Sequence, residues 1–490
     1  MDSQCTKQTT TIQIQKDNLI NTPPILSPPS LWLSKRLLVA VLMFLCHVNR
    51  SFLRFNISIA VVEMTSAKQI HSGNSTELMP APFDWDSKTV GLVMSMFYYG
   101  GLLSFIGGPI GAKLGGAVSC SLFMMLSAIT TILQPISLKY GFNLFLACRL
   151  FTGIFESFFT VSMADICAQW IPIREKSKLM AFSVIGFQTG VAFVHSFCAF
   201  LASGWGWTMV FYATGSICLI SSILCFFLVK NQPLDDPRIS KRELMYILEG
   251  TATSPRKMAI HPYKKILTSG PVWALFISRF TQMWLFTILI TCLPLYVKDL
   301  SHRDIKEIGM LSSIPNILSI FMLPICGILL DCARNANISV TKTHKILTSG
   351  AFIFGGVIFL AVSIISDFMF SLIAFVLIQM SLAIISLVSQ ILIISIAPNS
   401  SSVIAGLCLF AYSTSSISAH NITGFMTTNH SLQEWNNCFL LTSGVSILSA
   451  VIFTVYGSSE AQSWSTSSPD KPEEFYNQSN QNQSVKKMTK

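Results

Sequence analysis

The sequence predicts an all-α membrane protein whose twelve transmembrane helices form two six-helix halves, and three observations predict it. Hydrophobic residues make up 51% of the chain and charged ones 11%, against roughly 25% charged in an ordinary soluble domain. Apolar runs long enough to cross a bilayer recur along the chain. The longest polar interruption falls in the middle, with six runs before it and six after.

Taken in order, the runs lie near 37–63, 89–112, 117–137, 143–169, 180–202, 208–229, 270–297, 307–330, 346–366, 368–396, 402–427 and 438–457. The expected division is an N-terminal tail (1–36), a first half (37–229), a linker (230–269), a second half (270–457) and a disordered C-terminal tail (458–490) rich in Ser, Gln, Asn and Lys. The linker mixes Lys230, Arg238, Lys241, Arg242, Arg256, Lys257, Lys264 and Lys265 with Asp235, Asp236, Glu243 and Glu249. Two readings of it stand open: an amphipathic helix near 241–248 lying on the anionic leaflet, or a solvated hinge.

The net charge of +10 would suit a nucleic-acid partner, but the basic residues gather in alternate loops, the pattern that sets membrane topology. Nucleic acid is therefore excluded as the partner, membrane lipid is the expected surrounding, and both termini are expected in the cytoplasm. The first apolar run follows a polar tail and is long enough to stay in the bilayer, so it reads as its own insertion signal rather than a cleavable leader. The 13 cysteines show no CxxC or Cys/His spacing, so no metal is expected and they read as small packing residues.

Ionisable side chains cost roughly 2.5–3.5 kcal/mol each at membrane depth and so mark polar paths. Arg149 and Glu156 share the fourth run. Seven residues separate them, about 10 Å along a helix and nearly on one face, too far to pair directly. Arg50 and Arg54 stand one turn apart in the first run, with His47 on the side of Arg54. An arginine fork suits carboxylate or phosphate, because it donates two parallel hydrogen bonds and keeps its charge. Arg279 lies mid-span in the seventh run, where substrate contact and a structural ion pair are both open.

Glu156 is the residue to couple transport to protons: burial favours its neutral acid, nearby Arg149 its carboxylate. Asp165, near the end of the same run, reads as a cap or gate residue. Asp331 follows a small-residue stretch that echoes Gly107-Gly108-Pro109 of the first half. It is expected, with Arg174 and Glu175, to act at the gate or simply to end a helix. Asn74-Ser75-Thr76 is a glycosylation sequon on the non-cytoplasmic side, and Asn429-His430-Ser431 lies on the same side close to a helix end. No glycan is expected at Asn56, Asn337, Asn399, Asn421, Asn477 or Asn482. No phosphate-cradling GxxxxGK[ST], HExxH or GxSxG is present, so no enzyme activity, cofactor or catalytic residue is expected.

The chain also resembles the anion transporter family of the major facilitator superfamily that contains sialin, the vesicular glutamate transporters and the type I sodium-phosphate cotransporters. The matching segments run from Arg54-Phe55-Asn56-Ile57-Ser58-Ile59-Ala60 through Trp85-Asp86-Ser87, Arg149-Leu150-Phe151-Thr152-Gly153-Ile154-Phe155-Glu156 and Trp170-Ile171-Pro172-Ile173-Arg174-Glu175-Lys176-Ser177-Lys178-Leu179. They continue with Pro271-Val272-Trp273-Ala274, Leu293-Pro294-Leu295-Tyr296, Glu434-Trp435 and Tyr456-Gly457-Ser458-Ser459-Glu460-Ala461-Gln462-Ser463-Trp464. The resemblance implies a major facilitator fold, anion movement, Arg54 and Arg149 as anion contacts and Glu156 as the proton-responsive carboxylate. Three departures limit it: Ala164 stands where many members have His, Gln282 where the glutamate carriers have Arg, and Phe105 where Gln is usual.

The expected function is secondary active transport of an organic or inorganic anion by alternating access, a symport driven by H+, Na+ or membrane potential. The expected partners are a small anion and that coupling ion, with the protein acting as a monomer. Two alternatives stand: a non-transporting sensor or scaffold, and a passive anion conductance. Plasma membrane and endolysosomal or vesicular membrane both fit, since Ile25-Leu26 has Asn21 where a dileucine signal prefers an acidic residue.

Overall fold

The computed structural model describes residues 30–32, 34–66, 68–72, 75–104, 110, 111, 113–172, 175–250, 263–301, 303–322, 325, 326, 329, 332, 339–397, 401–462 and 464. Asn74, Phe105, Arg174, Asp331, both chain ends and the Gly107-Gly108-Pro109 stretch lie outside them.

The first half is built from α1 (Lys35–Met64), α2 (Ser87–Gly101), α3 (Gly116–Tyr140), α4 (Phe142–Trp170), α5 (Lys176–Trp205) and α6 (Trp207–Leu228). Between the halves come α7 (Lys241–Gly250) and the short α8 (Tyr263–Leu267). The second half opens with α9 (Gly270–Thr287), a π turn (Ile288–Cys292) and α10 (Leu293–Ser301), which together make one span. It continues with α11 (Ile305–Ser319), α12 (Val340–Ile365), α13 (Phe368–Ile396), α14 (Ser401–Met426) and α15 (Leu432–Tyr456).

Among the described residues, 10 helices are long and apolar enough to span a membrane. The described parts of the second and eighth helices, α2 and α11, have 15 residues each. Helix starts follow the capping chemistry of the sequence. Ser34 accepts from Leu37 N at 3.2 Å, Asp86 from Thr89 N at 2.9 Å and Asp367 from Phe370 N at 2.7 Å. Ser431 and Glu434 form a reciprocal capping box at α15. The loop after α1 contains an antiparallel hairpin, β1 (Lys68–Ser72) with β2 (Ser75–Met79). It marks one face of the molecule as the hairpin side. The other is the linker side.

The linker helix α7 is docked through one face and leaves Lys241 and Arg242 exposed on the other. Its Tyr246 and Ile247 are buried, and its buried Glu243 carboxylate accepts from Arg36 N at 3.0 Å and Arg36 Nε at 3.2 Å. Arg36 also lies over the Tyr246 ring at 4.7 Å and donates to Glu175, while Lys35 pairs with Asp236 at 2.9 Å. Burial alone would raise the Asp236 carboxyl, but the hydrogen bonds from Lys35 and Arg238 outweigh it and hold it below the usual carboxylate range. The linker is thus clamped to the start of α1. Glu175, expected at the gate, is one of the clamp's anions inside the first half.

The cores reveal the state of the molecule. On the hairpin side one hydrophobic cluster runs across both halves, joining Phe55, Val62 and Val194 to Trp284, Leu289 and Ile308. On the linker side the clusters are separate, one in the first half around Met43, Met124 and Trp170 and one in the second around Leu275, Leu392 and Cys408. The halves meet where α5 packs on α11 and α2 on α14. The α2–α14 approach needs glycine at Gly91 and Gly424, where a Cβ would stand 2.7 Å from His420 O and 2.5 Å from Ser87 O. The structure is therefore closed on the hairpin side.

Candidate functional site

Below this closure, α1 and α4 bring charged residues together, and α2 and α14 surround them with aromatic ones. Glu156 is buried, and its Oε1 accepts from Arg50 Nε at 2.6 Å and from Arg54 Nη2 at 2.7 Å. Both arginines reach it because they lie one turn apart on α1, facing α4. Arg54 also donates through Nη1 to the Tyr412 hydroxyl of the second half. Its guanidinium lies 4.9 Å from the Tyr412 ring centre, 5.5 Å from Phe97 and 5.9 Å from Tyr98.

Arg149 is 0% exposed, and none of its guanidinium nitrogens has a hydrogen-bond partner among the described residues. Its contact is the face of Phe97, 5.3 Å from the ring centre. That contact depends on Gly153, whose missing side chain lets α2 lie directly on α4: a Cβ there would stand 1.9 Å from Phe97 O. A desolvated cation–π contact contributes about 2 kcal/mol. Burying an unpaired ion costs several kcal/mol even after relaxation, so the ring does not offset it. Tyr98, stacked on His420 at 5.4 Å, has a buried hydroxyl that is likewise unpartnered among the described residues.

A cleft of about 380 Å³ lined by Arg50, Arg54, Tyr98, Ser104, Glu156 and Tyr412 leads to this cluster from the linker side. A second cavity of about 540 Å³ lies on the hairpin side, bordered by Ser87, Lys298, Asp299, His420 and His430. The chemistry sits in the smaller one, because it holds the buried carboxylate and two of its arginines. Three guanidinium groups face one carboxylate here, and this excess of positive charge attracts anions.

The structure thus joins Arg50 and Arg54 to Glu156 and sets Arg149 beside them at the Phe97 ring, which Arg54 also approaches. Arg279 bonds Gln282 instead, Nη1 to Oε1 at 2.8 Å. It takes no carboxylate among the described residues. The aromatic wall of Phe97, Tyr98, Tyr412 and His420 was missed, and the only signal for it was the polar run 412–416 within an apolar span. Also unforeseen, the thiols of Cys46, Cys120 and Cys225, from three helices, lie within 4.8 Å of one another. They sit inside the apolar first-half core, which provides no charge to stabilise a bound ion.

This arrangement, a two-half helical bundle with a polar site between the halves, is that of a membrane transport protein. The Major Facilitator Superfamily profile matches residues 39–420, and the chain belongs to that superfamily. Among curated relatives it is 26% identical to vesicular glutamate transporter 2.2 of Danio rerio, over 90% of this chain and 76% of that protein. It is 27% identical to sialin of Homo sapiens, over 88% of this chain and 91% of sialin. Among solved structures, a bacterial homolog of the human lysosomal transporter Spinster, inward-facing and occupied, superposes with a TM-score of 0.67 at 12% identity. That match covers 86% of this chain and 96% of the other, and supports the fold.

Proposed function

We propose that this protein is a secondary transporter that moves an organic or inorganic anion by alternating access between its two halves. The observation that carries the reading is Arg149, a buried cation with no counter-ion among the described residues. An anion that reaches Arg149 supplies the missing acceptors, and the Tyr98 hydroxyl offers it a further donor. Arg54 completes the binding set when the anion displaces Glu156 from it. The relatives that carry anions in their names support the class of substrate.

Coupling follows from the shared carboxylate. While Arg50 and Arg54 both donate to Glu156, its carboxylate neutralises part of their charge and holds them away from the substrate. A proton on Glu156 replaces the arginines as its partner and turns both toward the anion, so proton and anion are bound together and move as a symport. With the linker and both termini in the cytoplasm, the hairpin-side closure makes this the inward-facing state. Asp331 and Arg174 are retained as gate residues, Arg279 as a second-half anion contact and Asn74 as the glycan acceptor.

The test is uptake into proteoliposomes containing the purified full chain. Radiolabelled sialic acid, glutamate, urate and phosphate are offered with pH, sodium and voltage gradients imposed one at a time. Saturable uptake driven by one gradient is expected. Stabilisation by an anion without flux would replace transport with a sensor role, and current without saturation would replace it with a conductance.

A further inference from the structure

His430 lies outside the anion site, in the turn between α14 and α15, and its backbone is held at φ 54°, a left-handed conformation uncommon for a side chain beyond glycine. That strain aims the ring at the seam between the halves. Nδ1 lies 3.1 Å from Asp299 Oδ2 of the second half, and Nε2 lies 3.3 Å from Ser87 Oγ of the first. The hydroxyl hydrogen of Ser87 is already committed, since Oγ donates to Thr427 O at 2.7 Å. Ser87 can therefore only accept from His430. The Asp299 carboxylate can likewise only accept, and it also takes Trp435 Nε1 at 3.0 Å. Both ring nitrogens must then be donors, which is the protonated imidazolium.

We propose that His430 is a proton-binding residue of the hairpin-side gate: closing the gate takes up a proton between Asp299 and Ser87, and opening it releases that proton. The surrounding charges are otherwise engaged. Lys298 donates to Thr65 O at 3.0 Å and Thr65 Oγ1 at 2.8 Å, across the same seam. Glu434 accepts from Asn429 N at 2.9 Å and Asn429 Nδ2 at 2.7 Å. Beside Ser87, Asp86 caps α2 and Lys88 lies over the Phe425 ring. Asp299 is the partner that decides the charge of His430.

The titration agrees with the geometry. The hydrogen bond that His430 donates to Asp299 raises the His430 pKa above its ordinary 6.5, against the opposing effects of partial burial and Lys298. A group whose closed-state pKa is raised stabilises closure fully below its open-state value and loses that contribution as pH rises through the closed-state value. Acid on the hairpin side, the non-cytoplasmic side in the proposed topology, therefore favours the closed gate. This rests on the alternating-access reading but not on the identity of the anion, and gives the carrier a second proton site distinct from Glu156.

The test is the distance between spin labels at Gly204→Cys on α5 and Lys306→Cys on α11, in the full chain without substrate and with Cys5, Cys148 and Cys332 replaced by Ser. Between pH 8.0 and 5.5 the closed-to-open ratio is expected to rise about threefold or more, with its midpoint above 6.5. His430→Gln is expected to flatten the profile, and Asp299→Asn to lower the midpoint. If His430→Gln does not fold, Ser87→Ala serves, because it removes the acceptor for Nε2 and lowers the midpoint. A wild-type ratio that does not change with pH, or a profile unchanged in the folded variants, overturns the proposal. Since no anion is present, failure of the uptake experiment leaves this result standing.

Discussion

Arg149 and Glu156 share one helix yet do not share partners: Glu156 takes Arg50 and Arg54 from α1, while Arg149, with no hydrogen-bond partner among the described residues, lies on the Phe97 ring at 5.3 Å. The α4 helix therefore carries a satisfied anion and an unsatisfied cation. Opposite consequences follow for their removal.

Arg149→Met fills the same volume and removes an unpaired buried charge. Thermal stability is expected to be unchanged or higher, while uptake falls on the order of 100-fold or more through loss of charge-assisted hydrogen bonds to the anion. Glu156→Ala is expected to cost about 3–5 kcal/mol, because the buried Arg54 and the partly buried Arg50 lose their counter-ion. Melting curves of the two variants decide the point, and equal destabilisation would contradict the assignment.

Glu156→Gln keeps shape and hydrogen-bonding capacity but cannot change charge. Uptake by this variant is expected to become flat with pH, while the wild type responds to the imposed proton gradient. Initial rates at matched substrate and stepped external pH measure it, and a retained pH response would remove Glu156 from coupling.

Tyr412→Phe keeps the ring over Arg54 and deletes the hydroxyl that accepts from it. One hydrogen bond to a charged group is worth roughly 1.5–3 kcal/mol. KM is expected to change by about tenfold or more, with melting temperature little altered. An unchanged KM would leave Tyr412 as packing alone.

Gly153→Ala places a methyl group against the Phe97 carbonyl, where no flexible side chain can give way. Separating α2 from α4 is expected to cost about 1–3 kcal/mol and to move Phe97 off Arg149, lowering both melting temperature and uptake. Wild-type uptake in this variant would show that the ring's placement does not matter.

The clamp between Lys35 and Asp236 gives a second pH signature, separate from transport. The Asp236 pKa is depressed from 3.8, so its contribution is present above that value and is lost as pH falls below it through the depressed one. Hydrogen exchange of residues 241–250 is expected to accelerate only in strong acid in the wild type. In Glu243→Ala, which removes the acceptor for Arg36, acceleration at neutral pH is expected. Equal protection in both would contradict the docking of α7.

Much of this was legible because a bilayer forces apolar runs and makes each buried charge informative: the helix order, Arg54, Arg149 and Glu156 followed from that alone. The pairing was not, since Arg50 and Arg54 look alike in sequence and only helix packing shows both on Glu156. The linker misled for a similar reason. Lys241 and Arg242 suggested a lipid-facing helix, whereas the contact that positions it comes from Glu243, Tyr246 and Ile247 on its other face. Tyr412 and His420 were hidden because one aromatic among apolar residues carries no mark of the cation it will face.

The most direct test of the central claim is proteoliposome uptake by Arg149→Met beside the wild type, with both shown to be folded and inserted to the same extent. The account predicts saturable anion uptake by the wild type and none by the variant. Uptake above half of wild type in the variant would contradict it.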